Sequence, residues 1–75
     1  LIAAALPYLF TSDRRLKKNL RRIGASPKGY PWYSFSYIGE STIQQGVIAQ
    51  EVLPHDPSAV VLLPCGFYAV DYSKV

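Results

Sequence analysis

Cysteine and histidine, side chains that attack a carbonyl, abstract a proton or hold a metal, are scarce among the 75 residues. Cysteine occurs once, as Cys65, and histidine once, as His55. One of each builds neither a disulfide nor a tetrahedral metal cage within one chain. His55 has Asp56 beside it in Leu53-Pro54-His55-Asp56-Pro57, and a neighbouring carboxylate tunes an imidazole for proton transfer. No second ligand or nucleophile is marked for it, so it reads as a solvated loop histidine. Among the serines and lysines, Ser12 and Lys17 are a hydroxyl and an amine five residues apart. A lysine held neutral takes the proton of a serine and turns it into a nucleophile. Spacing does not bring the two together, because residues five apart on a helix are rotated by about 140°. On spacing alone Ser12 is a helix cap and Lys17 a surface lysine.

The elements that would position this pair begin with a charged segment. Seven of the eight basic residues (Arg14, Arg15, Lys17, Lys18, Arg21, Arg22 and Lys28) fall in one block, so the net charge of +3 is local. Clustered cations suggest a small basic nucleic-acid-binding module. That alternative is disfavoured, because the aromatic residues lie on a separate segment instead of interleaving with the cations as a stacking platform would. Ser12 or Asp13 is placed to cap a helix of about ten residues, with Leu16, Leu20 and Ile23 at i, i+4 and i+7 and Gly24 to end it. Such a short helix needs something packed on its apolar stripe.

Beyond the turn signal Ser26-Pro27-Lys28-Gly29, residues 30–38 alternate, with Tyr33, Phe35 and Tyr37 on one parity and Trp32, Ser34 and Ser36 on the other. That pattern predicts a strand with an aromatic face. Residues 39–45 read as a loop, 46–52 as a strand or a strand running into a helix, 59–63 as a short buried strand and 67–72 as a last strand after the Pro64-Cys65-Gly66 turn. The expected fold class is α+β, a short N-terminal helix followed by a small antiparallel or mixed sheet. Trp32, Phe35, Ile48, Val52 and Val61 are the expected core.

A chain of this length buries only about 60% of its unfolded surface. With neither disulfide nor metal to brace it, and with 49% apolar residues, the expected support is a partner subunit. The apolar opening, residues 1–10, contains Pro7 and is too short to span a membrane, which takes about 20 residues. The chain does not begin with Met, so it is expected to be part of a longer or processed protein.

Four ordered segments carry a resemblance. Ser12-Asp13-Arg14-Arg15-Leu16-Lys17-Lys18-Asn19-Leu20 is similar to the Ser-Asp-x-Arg-Leu-Lys-x-Asn-Ile signature that opens the endosialidase-type intramolecular chaperone, also known as the self-cleaving tailspike peptidase domain, departing only by Leu20 for Ile. Tyr33-Ser34-Phe35-Ser36-Tyr37 resembles that family's aromatic strand. Gly46-Val47-Ile48-Ala49-Gln50-Glu51-Val52 with Pro57-Ser58-Ala59-Val60 resembles its second signature, and Val70-Asp71-Tyr72-Ser73-Lys74-Val75 its third.

The resemblance implies that residues 12–75 are the chaperone and self-cleaving domain and that residues 1–11 are an upstream parent segment or linker. It makes Ser12 the nucleophile, Lys17 its base and Thr11-Ser12 the bond that is cut. On this reading the basic block lowers the Lys17 pKa by repelling its ammonium form. No cofactor or metal is implied. The implied partners are two further copies in a homotrimer and the parent fibre, tailspike or virion protein in cis, found in a phage tail or in the host cytoplasm during assembly. In tailspikes the third signature leads into a trimeric coiled coil that these residues do not include, so trimerisation is expected to rest on the small domain or on sequence beyond it. A non-cleaving structural domain of a virion or ejection protein is the alternative within the same family.

Overall fold

The computed structural model describes residues 8–75; the opening apolar stretch lies outside the described residues as far as residue 7. Among the described residues, six strands, one turn of α-helix and three 3-10 turns make up the fold. β1 (Leu9–Thr11), β5 (Val60–Leu62) and β6 (Tyr68–Asp71) form one antiparallel sheet in the order β1-β6-β5. β2 (Lys17–Ala25), β3 (Pro31–Tyr37) and β4 (Gln44–Gly46) form a second, in the order β2-β3-β4. A single turn of helix, α1 (Ala49–Val52), follows β4.

The expected N-terminal helix is therefore not there, and the fold is mostly β. Asp13, not Ser12, is the cap: its carboxylate accepts from the Arg15 backbone N–H and supports one 3-10 turn, Arg14–Leu16. The chain turns extended at Lys17 (φ −110°, ψ 144°) and runs as β2. Two arginines at the start opposed the helix dipole, and a ten-residue helix with nothing docked on it is marginal. Pairing with the aromatic strand β3 gives the same backbone a hydrogen-bonding partner, and it prevails. β2 keeps irregularities of its own. Its register on β3 shifts between Lys18 and Arg21 and again between Arg22 and Gly24. Asn19 sits at φ 56°, a left-handed conformation that asparagine tolerates. Leu20 and Ile23, the supposed docking stripe, are exposed.

The core is Val47, Ala49, Val52, Ala59, Val70 and Val75, with Tyr30, Trp32, Val60, Tyr68 and Tyr72 packed against it. Phe35, Ile48 and Val52 are buried as expected, and Trp32 is half-buried. Val61 is not in the core: β5 is an edge strand, and Val61 and Leu62 face outward.

Candidate active site

The two sheets meet at the segment Thr11-Ser12-Asp13, all three residues of which are buried. β1 delivers it. In the β1–β6 ladder, Tyr72 N–H donates to Tyr8 O and Ser12 N–H to Tyr68 O, at 2.7 and 3.1 Å. Ladder bonds alternate along an antiparallel strand, so the Thr11 carbonyl turns away from β6 toward the other sheet. There the Tyr37 hydroxyl donates to it at 2.6 Å. The Ser12 carbonyl is fixed by Ala49 N–H, 2.9 Å away at the start of α1.

Asp13 locks the next residue. Its carboxylate accepts five hydrogen bonds: from the Arg15 backbone N–H, Nε and Nη2, from Gln50 Nε2 and from Tyr68 N–H. The Arg15 guanidinium, followed by the backbone and Gln50 donors, holds this carboxyl well below the usual carboxylate range. Arg15 in turn lies over the Phe67 ring, 4.9 Å from its centroid.

Lys17 enters from the first position of β2, directly opposite Tyr37 in the β2–β3 register. Its side chain is buried, with Nζ 3.2 Å from Ser12 Oγ, 2.5 Å from Val47 O and 4.0 Å from the centroid of the Phe35 ring. The strand that replaces the helix is thus what brings Lys17 to Ser12. Burial lowers the Lys17 pKa to about 8, against a smaller opposing pull from the Asp13 carboxylate. Arg14, Arg15, Lys18, Arg21 and Arg22 are exposed, so the expected role of the basic block in that shift gives way to desolvation.

Two tyrosines that the sequence reading left without a role complete the cluster. Tyr72 Oη shares a 2.6 Å hydrogen bond with Ser12 Oγ and accepts from Val47 N–H at 3.1 Å. A Cβ on Gly46 would collide with the Tyr72 hydroxyl, so glycine is what allows the phenol to lie across the end of β4. Tyr37 is buried, and that burial, with Tyr72 and Glu40 nearby, pushes its phenol up to about 12. Burial likewise raises Tyr72.

The model of the chaperone of endosialidase family matches residues 12–61. The chain belongs to that family. No curated protein and no solved structure matches it. The chaperone-of-endosialidase match begins at Ser12 and takes in Lys17, Tyr37 and Gly46, while Tyr72 lies beyond its end. His55 is not part of the cluster; it leans on Tyr30 beside a groove lined by Lys28, Glu51 and Pro54. Cys65 is exposed in the turn before β6. Among the described residues no group of side chains is arranged to hold a metal ion, and no helix is long and apolar enough to cross a membrane.

Proposed function

We propose that this domain is the C-terminal intramolecular chaperone of a phage tail fibre, tailspike or related virion protein, that it acts as a homotrimer, and that it cuts its own chain between Thr11 and Ser12. The observation that carries the cutting is the buried Lys17 amine, 3.2 Å from Ser12 Oγ and titrating near 8. A buried lysine that is partly neutral near pH 8 and sits beside a hydroxyl suits a general base.

In the reaction, neutral Lys17 takes the hydroxyl proton of Ser12 while Oγ adds to the Thr11 carbonyl carbon. The Thr11–Ser12 C–N bond then breaks, and its nitrogen takes up that proton to become the free α-amine of Ser12. The Thr11 acyl group is left as an ester on Oγ. Water hydrolyses the ester, giving a Thr11 carboxylate and restoring the Ser12 hydroxyl. A pocket of about 290 Å³ lies against Tyr37 and Tyr72, the phenols that contact Thr11 O and Ser12 Oγ. Nucleophile and target share one chain, so each molecule reacts once.

Oligomerisation is supported by what a single chain leaves uncovered. Ile38, Ile43 and Leu62 are 63%, 76% and 62% exposed, and Phe10 and Val61 are also largely open. A domain this small, with neither disulfide nor metal, is braced by a partner subunit that covers such residues. A trimer of such domains would hold three parent chains in register while they intertwine, offsetting the loop-closure cost of long-range pairing.

Ser12→Ala and Lys17→Met test the cutting. Asp13 caps the 3-10 turn, so Ser12→Ala removes a hydroxyl and no cap. Both variants should fold and stay whole by intact mass while the parent chain yields residues 12–75. Cleavage of either folded variant at the parent rate contradicts the dyad.

A further inference from the structure

We propose that Tyr37 is a third catalytic residue of this site, with its phenol as the oxyanion donor to the Thr11 carbonyl during self-cleavage. The inference rests on the reading of Ser12 and Lys17 as the cleaving pair.

Its ground is the geometry at the target carbonyl rather than at the nucleophile. The Thr11 carbonyl faces away from the ladder that holds β1, and the Tyr37 hydroxyl donates to it at 2.6 Å in a buried setting. When Ser12 Oγ adds to the carbonyl carbon, negative charge develops on that oxygen. A hydrogen bond already aimed there strengthens as the charge grows and needs no reorganisation, and this is how a donor lowers a barrier. The hydroxyl is placed by its strand: Tyr37 is the last residue of β3, opposite Lys17, and its ring packs edge-on against Phe35 at 5.2 Å. Base and donor are therefore set by one cross-strand pair, with their polar ends at the nucleophile and at the carbonyl oxygen respectively.

Tyr72 does a different job. Its hydroxyl contacts Ser12 Oγ and Val47 N–H and so orients the nucleophile. The titrations suit this division. Lys17 becomes neutral near 8, whereas Tyr37 stays protonated to about 12, so base and donor are both in working form across the interval between.

The test is the first-order rate at which the full chain cuts itself after refolding from denaturant, measured by mass from pH 6 to 10. Tyr37→Phe keeps the ring and its contact with Phe35. It should slow cleavage by about 10²- to 10³-fold, the usual loss for one oxyanion donor, with the pH midpoint still near that of Lys17. A Tyr37→Phe rate within about threefold of the parent overturns the proposal. The second arm replaces Tyr37 with a fluorinated tyrosine of lowered phenol pKa, which retains shape and serves even if Tyr37→Phe fails to fold. Its rate should fall again at the alkaline end, giving a bell where the parent levels off. An unchanged alkaline plateau overturns the role, since a purely structural phenol would not move that limb. A parent chain that never cuts sinks the cleavage reading itself, whereas a parent that cuts alongside an equally fast Tyr37→Phe sinks only the donor.

Discussion

Shifting pH is the simplest perturbation of a lysine base, and its effect here has a definite size. With a Lys17 pKa of about 8, the neutral fraction is about one-half at pH 8, about one-tenth at pH 7 and about one-hundredth at pH 6. If neutral Lys17 deprotonates Ser12, the self-cleavage rate climbs about tenfold per pH unit up to 8 and levels off by about pH 9. The assay is a pH jump on refolded chain, quenched in acid and read as the fraction cut by mass. A flat rate between pH 6 and 9 refutes the assignment, and so does a midpoint near 10.5, where an unperturbed lysine titrates. The uncut Ser12→Ala variant gives an independent check through stability. Its unfolded state binds the Lys17 proton up to about pH 10.5, but its folded state releases it near 8. Stability from this group is thus lowest below pH 8 and rises between 8 and 10.5, by up to about 3 kcal/mol. Urea midpoints should increase between pH 8 and 9.5, below the range where the raised phenols of Tyr37 and Tyr72 act in the opposite sense, and a decrease there would mean that Lys17 is not buried as described.

Phe35→Ala removes a buried ring and the aromatic face under Lys17; it should cost about 3–5 kcal/mol and prevent cooperative folding, so a cooperative melt at the parent temperature would contradict it. Gly46→Ala drives a methyl into the Tyr72 hydroxyl and should impair both folding and cleavage. Adding Tyr72→Phe to Gly46→Ala should recover folding, by circular dichroism, better than cleavage. Light scattering at micromolar concentration should return the mass of three chains, and the mass of one chain would remove the trimer.

Part of this fold is plain in the sequence because it is encoded locally. The alternation through Tyr33, Phe35 and Tyr37 marks β3, and Pro64-Cys65-Gly66 marks the turn before β6. The segment after Ser12 misleads for a physical reason. Leu16, Leu20 and Ile23 satisfy helical spacing, yet whether they form a helix depends on what lies beside them, and β3 offers a backbone partner that no local pattern announces. The same holds for the site. Ser12 and Lys17 are joined only because the chain leaves its 3-10 turn as a strand, so resemblance names them where periodicity does not. Tyr37 bonds to a carbonyl 26 residues away and Tyr72 to a hydroxyl 60 residues away. The one hint available was a phenol placed on the buried parity of an aromatic strand, since a buried tyrosine hydroxyl seeks a partner. Gly46 opens the second signature, yet its role is legible only in the fold, because that role is the space it leaves for Tyr72.

The most direct test is the intact mass of the folded 75-residue chain after incubation at pH 9, beside the Ser12→Ala variant. The account predicts that the parent resolves into residues 1–11 and 12–75, together heavier than the whole by one water, while the variant remains a single uncut species. A parent chain that is folded and still whole after prolonged incubation contradicts it.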